Sequence, residues 1–236
     1  AAIVVPDTSL VAYKAAWSDY AAQITAKGDA YVTVEVEAKQ ATSGIMERIG
    51  LEKMASIAKL AVKGSINSYD VIQFRDKMPL LRELDLSEAT VVASDKAFYN
   101  GNCTGDYNLG DYAFYNCKIV DTIRIAETVK TIGSYAFYEC ENLTSINLPD
   151  TIEHIGESAF AGCHKLSSIE IPNFVTSIQQ GAFYDCYNLK SITLGTSITS
   201  IGKSAFGNIG AWTSDTKVFF PNIEWIFDVL IEHEGN

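Results

Sequence analysis

Apolar residues recur with a 23-residue period through the central and C-terminal parts of this sequence. Alanine-phenylalanine pairs mark the period, with the aromatic residue at Phe114, Phe137, Phe160, Phe183 and Phe206. Isoleucines repeat it at Ile132, Ile155, Ile178 and Ile201, and cysteines at Cys117, Cys140, Cys163 and Cys186. A fixed period of this size indicates stacked structural repeats, because one repeat cannot bury its apolar side alone.

Each repeat has three recognisable parts. Ile146 and Leu148 alternate with polar residues as in a short strand, which Pro149 ends. Ile152 and Ile155 then suit a second extended edge, and the Ala-Phe-x-x-Cys stretch is short enough for one helical or 3₁₀ turn. The pattern predicts a coil that closes once in each repeat. Strands of successive coils should therefore pair in parallel.

The repeat resembles a known one. Its consensus, Ile-Gly-x-x-Ala-Phe-x-x-Cys-x-x-Leu-x-x-Ile-x-Leu-Pro, is matched at residues 132–149, 155–172 and 178–194, with Gly195 replacing the proline and Gln179 replacing one glycine. This unit is similar to the leucine-rich repeats of BspA-like bacterial cell-surface proteins. The resemblance implies an α/β repeat fold, a right-handed leucine-rich-repeat solenoid with terminal caps. It also implies attachment to host proteins, other cells or glycans.

The same spacing sets the limits of the array. Extending the strand pattern outward gives an array over 57–221, with seven parallel strands near 57–62, 81–86, 120–125, 143–148, 166–171, 189–194 and 215–220. The interval from Leu84 to Ile123 is longer than one repeat. We therefore expect a 16-residue insertion at about 99–114, and its Tyr, Asn, Asp and Gly content predicts a protruding loop.

Both ends of the chain depart from the repeat, as the capping segments of a solenoid do. Residues 1–56 are predicted to form an N-terminal cap with a helix at about 9–27, a strand at Val32, Val34 and Val36, and a second helix over 42–49. Residues 222–236 are predicted to form a C-terminal cap with a short closing element over 223–231.

Composition narrows the classes of partner and the compartment. The formal net charge of −11 argues against binding nucleic acid or an anionic membrane. The longest apolar stretch, 218–231, contains Glu224 and Asp228 and is shorter than the ~20 residues of a membrane span. The sequence begins with Ala1 and carries no export signal, as expected of a mature or trimmed chain. With the resemblance, this favours an extracellular or cell-surface location in a bacterium.

The sequence holds no pattern typical of an enzyme. It contains no Cys-x-x-Cys pair, and His154 and His164 occupy variable repeat positions. The four periodic cysteines are expected to be small buried hydrophobes, although disulfides between neighbouring coils are an open alternative. Cys103 is the cysteine we expect to be exposed. No catalytic residue, metal site or cofactor is predicted.

Candidate binding residues lie on two surfaces. Outward positions of the strands form two polar rows across a concave sheet, a face with which solenoids bind, although small polar residues also simply keep a sheet soluble. The tyrosines of the insertion offer flat apolar area with a polar tip, and Tyr115 is the one expected to pack on the next coil. The candidate residues are Tyr99, Tyr107, Tyr112, Arg124, Asn147, Glu170 and Thr193. We predict a non-enzymatic surface-exposed or secreted binding module for a protein or glycan; the alternative is a structural spacer with no ligand of its own.

Overall fold

The structure, a computed structural model, describes residues 31–37 and 43–209 together with the backbone of three further strands. These are β1 (Ile3–Val5), β2 (Ile24–Ala26) and β15 (Lys217–Phe219). Strands β1 and β2 pair in parallel. Because β2 occupies the end of the helix predicted at about 9–27, that part of the prediction is wrong. The rest of that helix and the element at 223–231 lie outside the described residues.

One wall of the fold is a series of parallel strands, one for each coil. They are β3 (Val32–Val36), β4 (Lys59–Ile66), β5 (Glu83–Asp85), β7 (Thr122–Arg124), β9 (Ser145–Asn147), β11 (Ser168–Glu170) and β13 (Ser191–Thr193), followed by β15. Hydrogen bonds join β3-β4-β5-β7-β9 and β11-β13-β15, and β9 lies beside β11. Ile123 is in register with Leu84 on one side and Ile146 on the other. The seven predicted parallel strands are therefore confirmed.

Shorter strands form a second wall. They are β6 (Ala89–Val91), β8 (Thr131–Ile132), β10 (His154–Ile155), β12 (Ser177–Ile178) and β14 (Ser200–Ile201). The parallel pairs β8-β10 and β12-β14 confirm the second extended edge. The coils approach closely just after these strands, where a Cβ on Gly156 would lie 2.5 Å from the nitrogen of Ser134. This contact explains the glycine of the Ile-Gly pair.

The Ala-Phe-x-x-Cys segment forms a third wall, made of separate tight turns. Tyr138 N–H donates to the Tyr135 carbonyl, and Cys140 N–H donates to the Phe137 carbonyl. Tyr135 and Glu139 have φ of 56° and 57°, in the left-handed region. These two residues break any continuous helical path, so the expected single helical or 3₁₀ turn is wrong. The turns bond to the next coil instead, for example from Phe137 N–H to the Ala159 carbonyl at 2.7 Å.

One stack of aromatic rings runs through the core between the walls. Its members, here called the phenylalanine stack, have centroids 5.2–5.3 Å apart and planes within 5° of parallel: Phe114, Phe137, Phe160, Phe183 and Phe206. All five side chains are buried. The 23-residue period is therefore a period of ring stacking.

Three helices lie in the N-terminal part of the described chain: α1 (Gly44–Ile49), α2 (Leu51–Met54) and α3 (Ser68–Asp76). Helix α1 confirms the helix predicted over 42–49, whereas the sequence pattern did not indicate α3. A buried carboxylate joins α1 to α3, since Asp70 accepts hydrogen bonds from Ser43 Oγ at 2.6 Å and from the backbone N–H of Asn67. Burial raises the pKa of Asp70.

The insertion is placed differently from the prediction. Leu109 N–H donates to the Thr131 carbonyl and Tyr112 N–H to the Ser134 carbonyl, so this segment pairs with the next coil. Leu109 and Gly110 stand one full repeat before Ile132 and Gly133, and therefore occupy the Ile-Gly position of a regular repeat. The prediction of a protruding loop over 99–114 is wrong for its second half. The extra residues precede Tyr107.

Candidate partner-binding surfaces

The outward residues of the main strands form the outer strand face. On this face Arg124 stands in register with Asn147, and Glu170 with Thr193. Arg124, Asn147 and Glu170 are exposed and Thr193 is partly exposed, whereas the residue between the two outward positions of each strand is buried. Hydrogen bonds between paired strands occupy main-chain N–H and C=O groups of these strands. The polar groups available to a partner on this face are therefore those of the side chains. The structure thus contains both predicted polar rows.

At the β3 end of the outer strand face, Tyr31 is held by a charged pair. Tyr31 Oη donates to Glu83 Oε2 at 2.8 Å, and Lys59 Nζ lies 2.7 Å from Glu83 Oε1. The pKa of Tyr31 is raised to about 12, mainly by burial and secondly by the hydrogen bond to Glu83. The hydrogen bond to Lys59 lowers the pKa of Glu83. Tyr31 therefore stays a neutral donor at physiological pH, with its ring fixed at the edge of the face.

These residues border a depression of about 570 Å³ in the outer strand face. Its lining residues are Tyr31, Glu83, Leu84, Ser87, Thr122, Ile123, Arg124, Glu127, Ser145 and Asn147. Within it, Arg124 Nη1 lies 3.8 Å from Asp85 Oδ2, and the arginine side chain is 66% exposed. Asp85 already accepts hydrogen bonds from the backbone and hydroxyl of Ser87. The guanidinium therefore keeps most of its donors open to solvent.

The sequence analysis missed Tyr31 as part of this surface. The residue directly precedes the alternating Val32, Val34 and Val36, which pair in register with β4. That alternation was the available signal that β3 extends the main sheet. However, the spacing from Val32 to its partner Leu60 is longer than the repeat period. The period therefore did not predict that β3 belongs to the main sheet.

Tyrosines on the third wall form a tyrosine cluster of Tyr99, Tyr112, Tyr115, Tyr135 and Tyr138. Tyr112 stacks on Tyr135 with centroids 5.0 Å apart, and Tyr99 stacks on Tyr115 at 5.1 Å. Tyr115 stacks on Tyr138 at 5.4 Å, which confirms the expected packing of Tyr115 on the next coil. The rings cover one another's faces. Much of their area is therefore used inside the protein.

The structure does not bring all the predicted tyrosines to one surface. Tyr99 and Tyr112 lie in the tyrosine cluster, but Tyr107 has no ring contact with it among the described residues. Tyr107 is exposed, and its carbonyl accepts from Lys130 N–H at the start of the second wall. The candidate residues of the outer strand face, such as Asn147, lie on the main strands. The predicted site is thus divided between different walls of the coil.

The periodic cysteines point into the core. Cys117, Cys140, Cys163 and Cys186 are buried free thiols, and Cys103 is partly exposed. Sγ of Cys163 donates to the Phe137 carbonyl at 3.2 Å, and Cys140 and Cys186 make the same bond one repeat away on either side. Burial raises the pKa of all four periodic thiols. Their predicted inward orientation is confirmed.

Two negative findings hold for the described part of the chain. It contains no group of three or more His, Cys, Asp or Glu side chains that could hold a metal ion. None of its helices has the length and apolar character that crossing a membrane requires.

A coil with one parallel strand per 23-residue repeat and a stacked phenylalanine core defines a leucine-rich-repeat fold. Residues 107–222 match the BspA type leucine-rich repeat region in six copies. This part of the chain consists of BspA-type repeats, as the sequence resemblance indicated. The match begins at Tyr107, where the structure places the first regular repeat after the insertion. No curated protein matches the chain.

Several solved structures are similar to the chain. A leucine-rich repeat protein of T. pallidum is 20% identical over 73% of this chain and 72% of its own, with a TM-score of 0.45. A leucine-rich cell-surface protein from Faecalibacterium prausnitzii is 19% identical over 87% of this chain and 55% of its own, with a TM-score of 0.49. The pneumococcal vaccine antigen PcpA is 17% identical over 85% of this chain and 65% of its own, with a TM-score of 0.42.

Proposed function

We propose that this chain is a surface-exposed or secreted binding module of a bacterium, without catalytic activity of its own, that recognises a protein or a glycan. The observation that carries the proposal is the exposed polar row of Arg124, Asn147 and Glu170 on strands whose opposite face is buried. A rigid core fixes the spacing of these side chains, and solenoids generally bind through such a face.

The outer strand face is better suited to this role than the tyrosine cluster. Tyr112 and Tyr135 stack face to face with an interplanar angle of 8°, so a partner would meet ring edges and hydroxyls. Arg124 and Asn147, in contrast, offer exposed donors and acceptors. The surface or secreted location is proposed from the BspA-type repeats.

A binding screen with matched variants tests this function. The immobilised chain is screened against extracellular-matrix proteins and glycans, and any ligand is then titrated against Asn147→Ala/Glu170→Ala. We expect this double variant to bind at least tenfold more weakly with an unchanged circular dichroism spectrum. The control is Tyr187→Ala, which removes an exposed ring on the third wall.

Two other outcomes would contradict this assignment. If the Tyr187 variant loses binding and the double variant does not, the third wall is the binding surface. If the folded chain binds no member of the screen, the structural spacer is the better description and the proposed function fails.

A further inference from the structure

The depression in the outer strand face has a chemically distinct lining. Its volume of about 570 Å³ lies within the range of ~300–1,000 Å³ found for small-ligand sites. Neutral hydrogen-bonding groups come from Thr122, Ser145 and Asn147, and Arg124 adds an exposed guanidinium. Tyr31, 43% exposed, is its aromatic residue. One ring among several polar groups suits a ligand that has both a weakly apolar face and many hydroxyls.

The lining argues against a peptide as the ligand. Peptide recognition normally relies on apolar anchors that fill desolvated pockets. The apolar residues of this depression, Leu84 and Ile123, are only 1% and 3% exposed because their side chains belong to the core. The floor therefore offers no apolar hollow for a side chain. A sugar ring can bind without such a hollow.

The surrounding charges argue against an acidic glycan. Glu83 and Glu127 line the depression, Asp85 lies beside Arg124, and the whole chain has a formal charge of −11. Lys59 and Arg124 lie next to these carboxylates and offset part of their charge locally. A polyanion would be repelled by the chain as a whole, whereas an uncharged ligand would not.

We propose that this depression binds an uncharged glycan, with one pyranose ring against Tyr31 and its neighbouring hydroxyls hydrogen-bonded to Arg124 and Asn147. The proposal rests on the proposed function and names the ligand class and the subsite. The hydrogen bond from Tyr31 to Glu83, and the pair of Glu83 with Lys59, fix the ring before any ligand arrives. Preorganisation of this kind reduces the entropic cost of binding.

The test uses the full chain and a panel of neutral disaccharides: cellobiose, lactose, mannobiose and N,N′-diacetylchitobiose. Binding is measured by saturation-transfer NMR and isothermal titration calorimetry, with heparin as the polyanionic comparison. We expect saturable binding of at least one disaccharide and none of heparin. Tyr31→Ala and Arg124→Ala should each weaken binding at least tenfold. Tyr31→Phe, which keeps the ring but loses its hydrogen bond to Glu83, should weaken binding less than Tyr31→Ala does.

Ser191→Ala is the matched control and should leave disaccharide binding unchanged, because Ser191 is exposed on the same face but does not line the depression. The subsite is wrong, while the proposed function survives, if Glu170→Ala abolishes disaccharide binding and Tyr31→Ala does not. The glycan assignment is overturned if none of the disaccharides binds or if heparin binds through Arg124. If the chain instead binds a protein from the first screen through Tyr31 and Arg124, the surface is right and the ligand class is wrong.

Discussion

Phe160 lies at the centre of the phenylalanine stack and shows what a single side chain contributes to this fold. Its ring is fully buried, with the rings of Phe137 and Phe183 each 5.2 Å away. Neighbouring coils meet through this stack as well as through backbone hydrogen bonds. Loss of one ring would therefore leave a cavity facing two neighbouring coils.

Replacing that ring should be costly. We expect Phe160→Ala to lower the free energy of unfolding by ~3–5 kcal/mol, the usual cost of deleting a buried aromatic side chain. Urea denaturation followed by circular dichroism measures the change. Phe174→Ala is the control, since Phe174 is 66% exposed and should cost no more than ~0.5 kcal/mol. A loss below ~1 kcal/mol for Phe160→Ala would contradict the packing role of the stack.

The sequence could predict which way a single side chain points only where the 23-residue period applied. Phe160 and Cys163 share their environments with residues one repeat away, so the period revealed that they face inward. Tyr31 could not be found in this way, because its contact with Glu83 joins residues 52 positions apart across an irregular interval. The left-handed φ of Tyr135 and Glu139 was equally hidden, since bulky residues seldom adopt it.

Among the elements, the segment before Tyr107 is anchored to α3. The Thr104 hydroxyl accepts from Ser68 N–H at 3.1 Å and donates to the Val92 carbonyl at 2.8 Å. Ser68 Oγ in turn accepts from Thr104 N–H at 2.7 Å. Both side chains are buried. Thr104, in the insertion, therefore supplies a hydrogen-bond partner for the first backbone N–H of α3.

Removing the Thr104 hydroxyl should loosen this anchor. Thr104→Val keeps the shape but leaves Ser68 N–H and the Val92 carbonyl without this partner, which costs ~1–3 kcal/mol for a buried polar group. Thermal unfolding combined with amide hydrogen exchange at α3 measures the effect. Thr128→Val serves as the control, because its hydroxyl makes one long contact of 3.5 Å at a partly exposed site. Equal effects of the two substitutions would argue against the anchor.

The insertion was misplaced because two Ala-Phe pairs, ending at Phe98 and Phe114, both fit the repeat. Leu109 and Gly110 contained the deciding signal, since they match the Ile-Gly pair with leucine in place of isoleucine. Helix α3 was missed for a different reason. Its capping box at Asn67 and Asp70 falls in a coil where the later consensus is absent.

For the whole molecule, the four buried periodic cysteines make the free energy of unfolding depend on pH. Burial raises the pKa of Cys186 from its usual value near 9.0 to about 12, and raises the pKa of the other three periodic thiols as well. In the unfolded chain these thiols ionise at their usual values. The folded state therefore binds more protons above about pH 9, and its stability falls as the pH rises.

We expect the free energy of unfolding to be unaffected by Cys186 below about pH 9 and to decline between about pH 9 and about pH 12. The slope should be at most ~1.4 kcal/mol per pH unit for each buried thiol. Urea titrations at successive pH values, with reductant present, measure it. Cys186→Ala should make the slope shallower by one such contribution. A slope identical to that of the unsubstituted chain would rule out this origin.

The uniform ring spacing of the phenylalanine stack makes the length of the protein adjustable in whole coils. Excision of one complete repeat, such as 150–172, brings Phe137 and Phe183 into the relation that Phe137 and Phe160 have now. Each excised or duplicated coil shifts the rings beyond it by one ring spacing, which is 5.2 Å between Phe137 and Phe160. Unequal recombination within the gene could therefore change the distance between the two ends of the array in fixed steps. The last lining residue of the depression beside Tyr31 is Asn147. Excision or duplication of a later coil would therefore leave this depression unchanged.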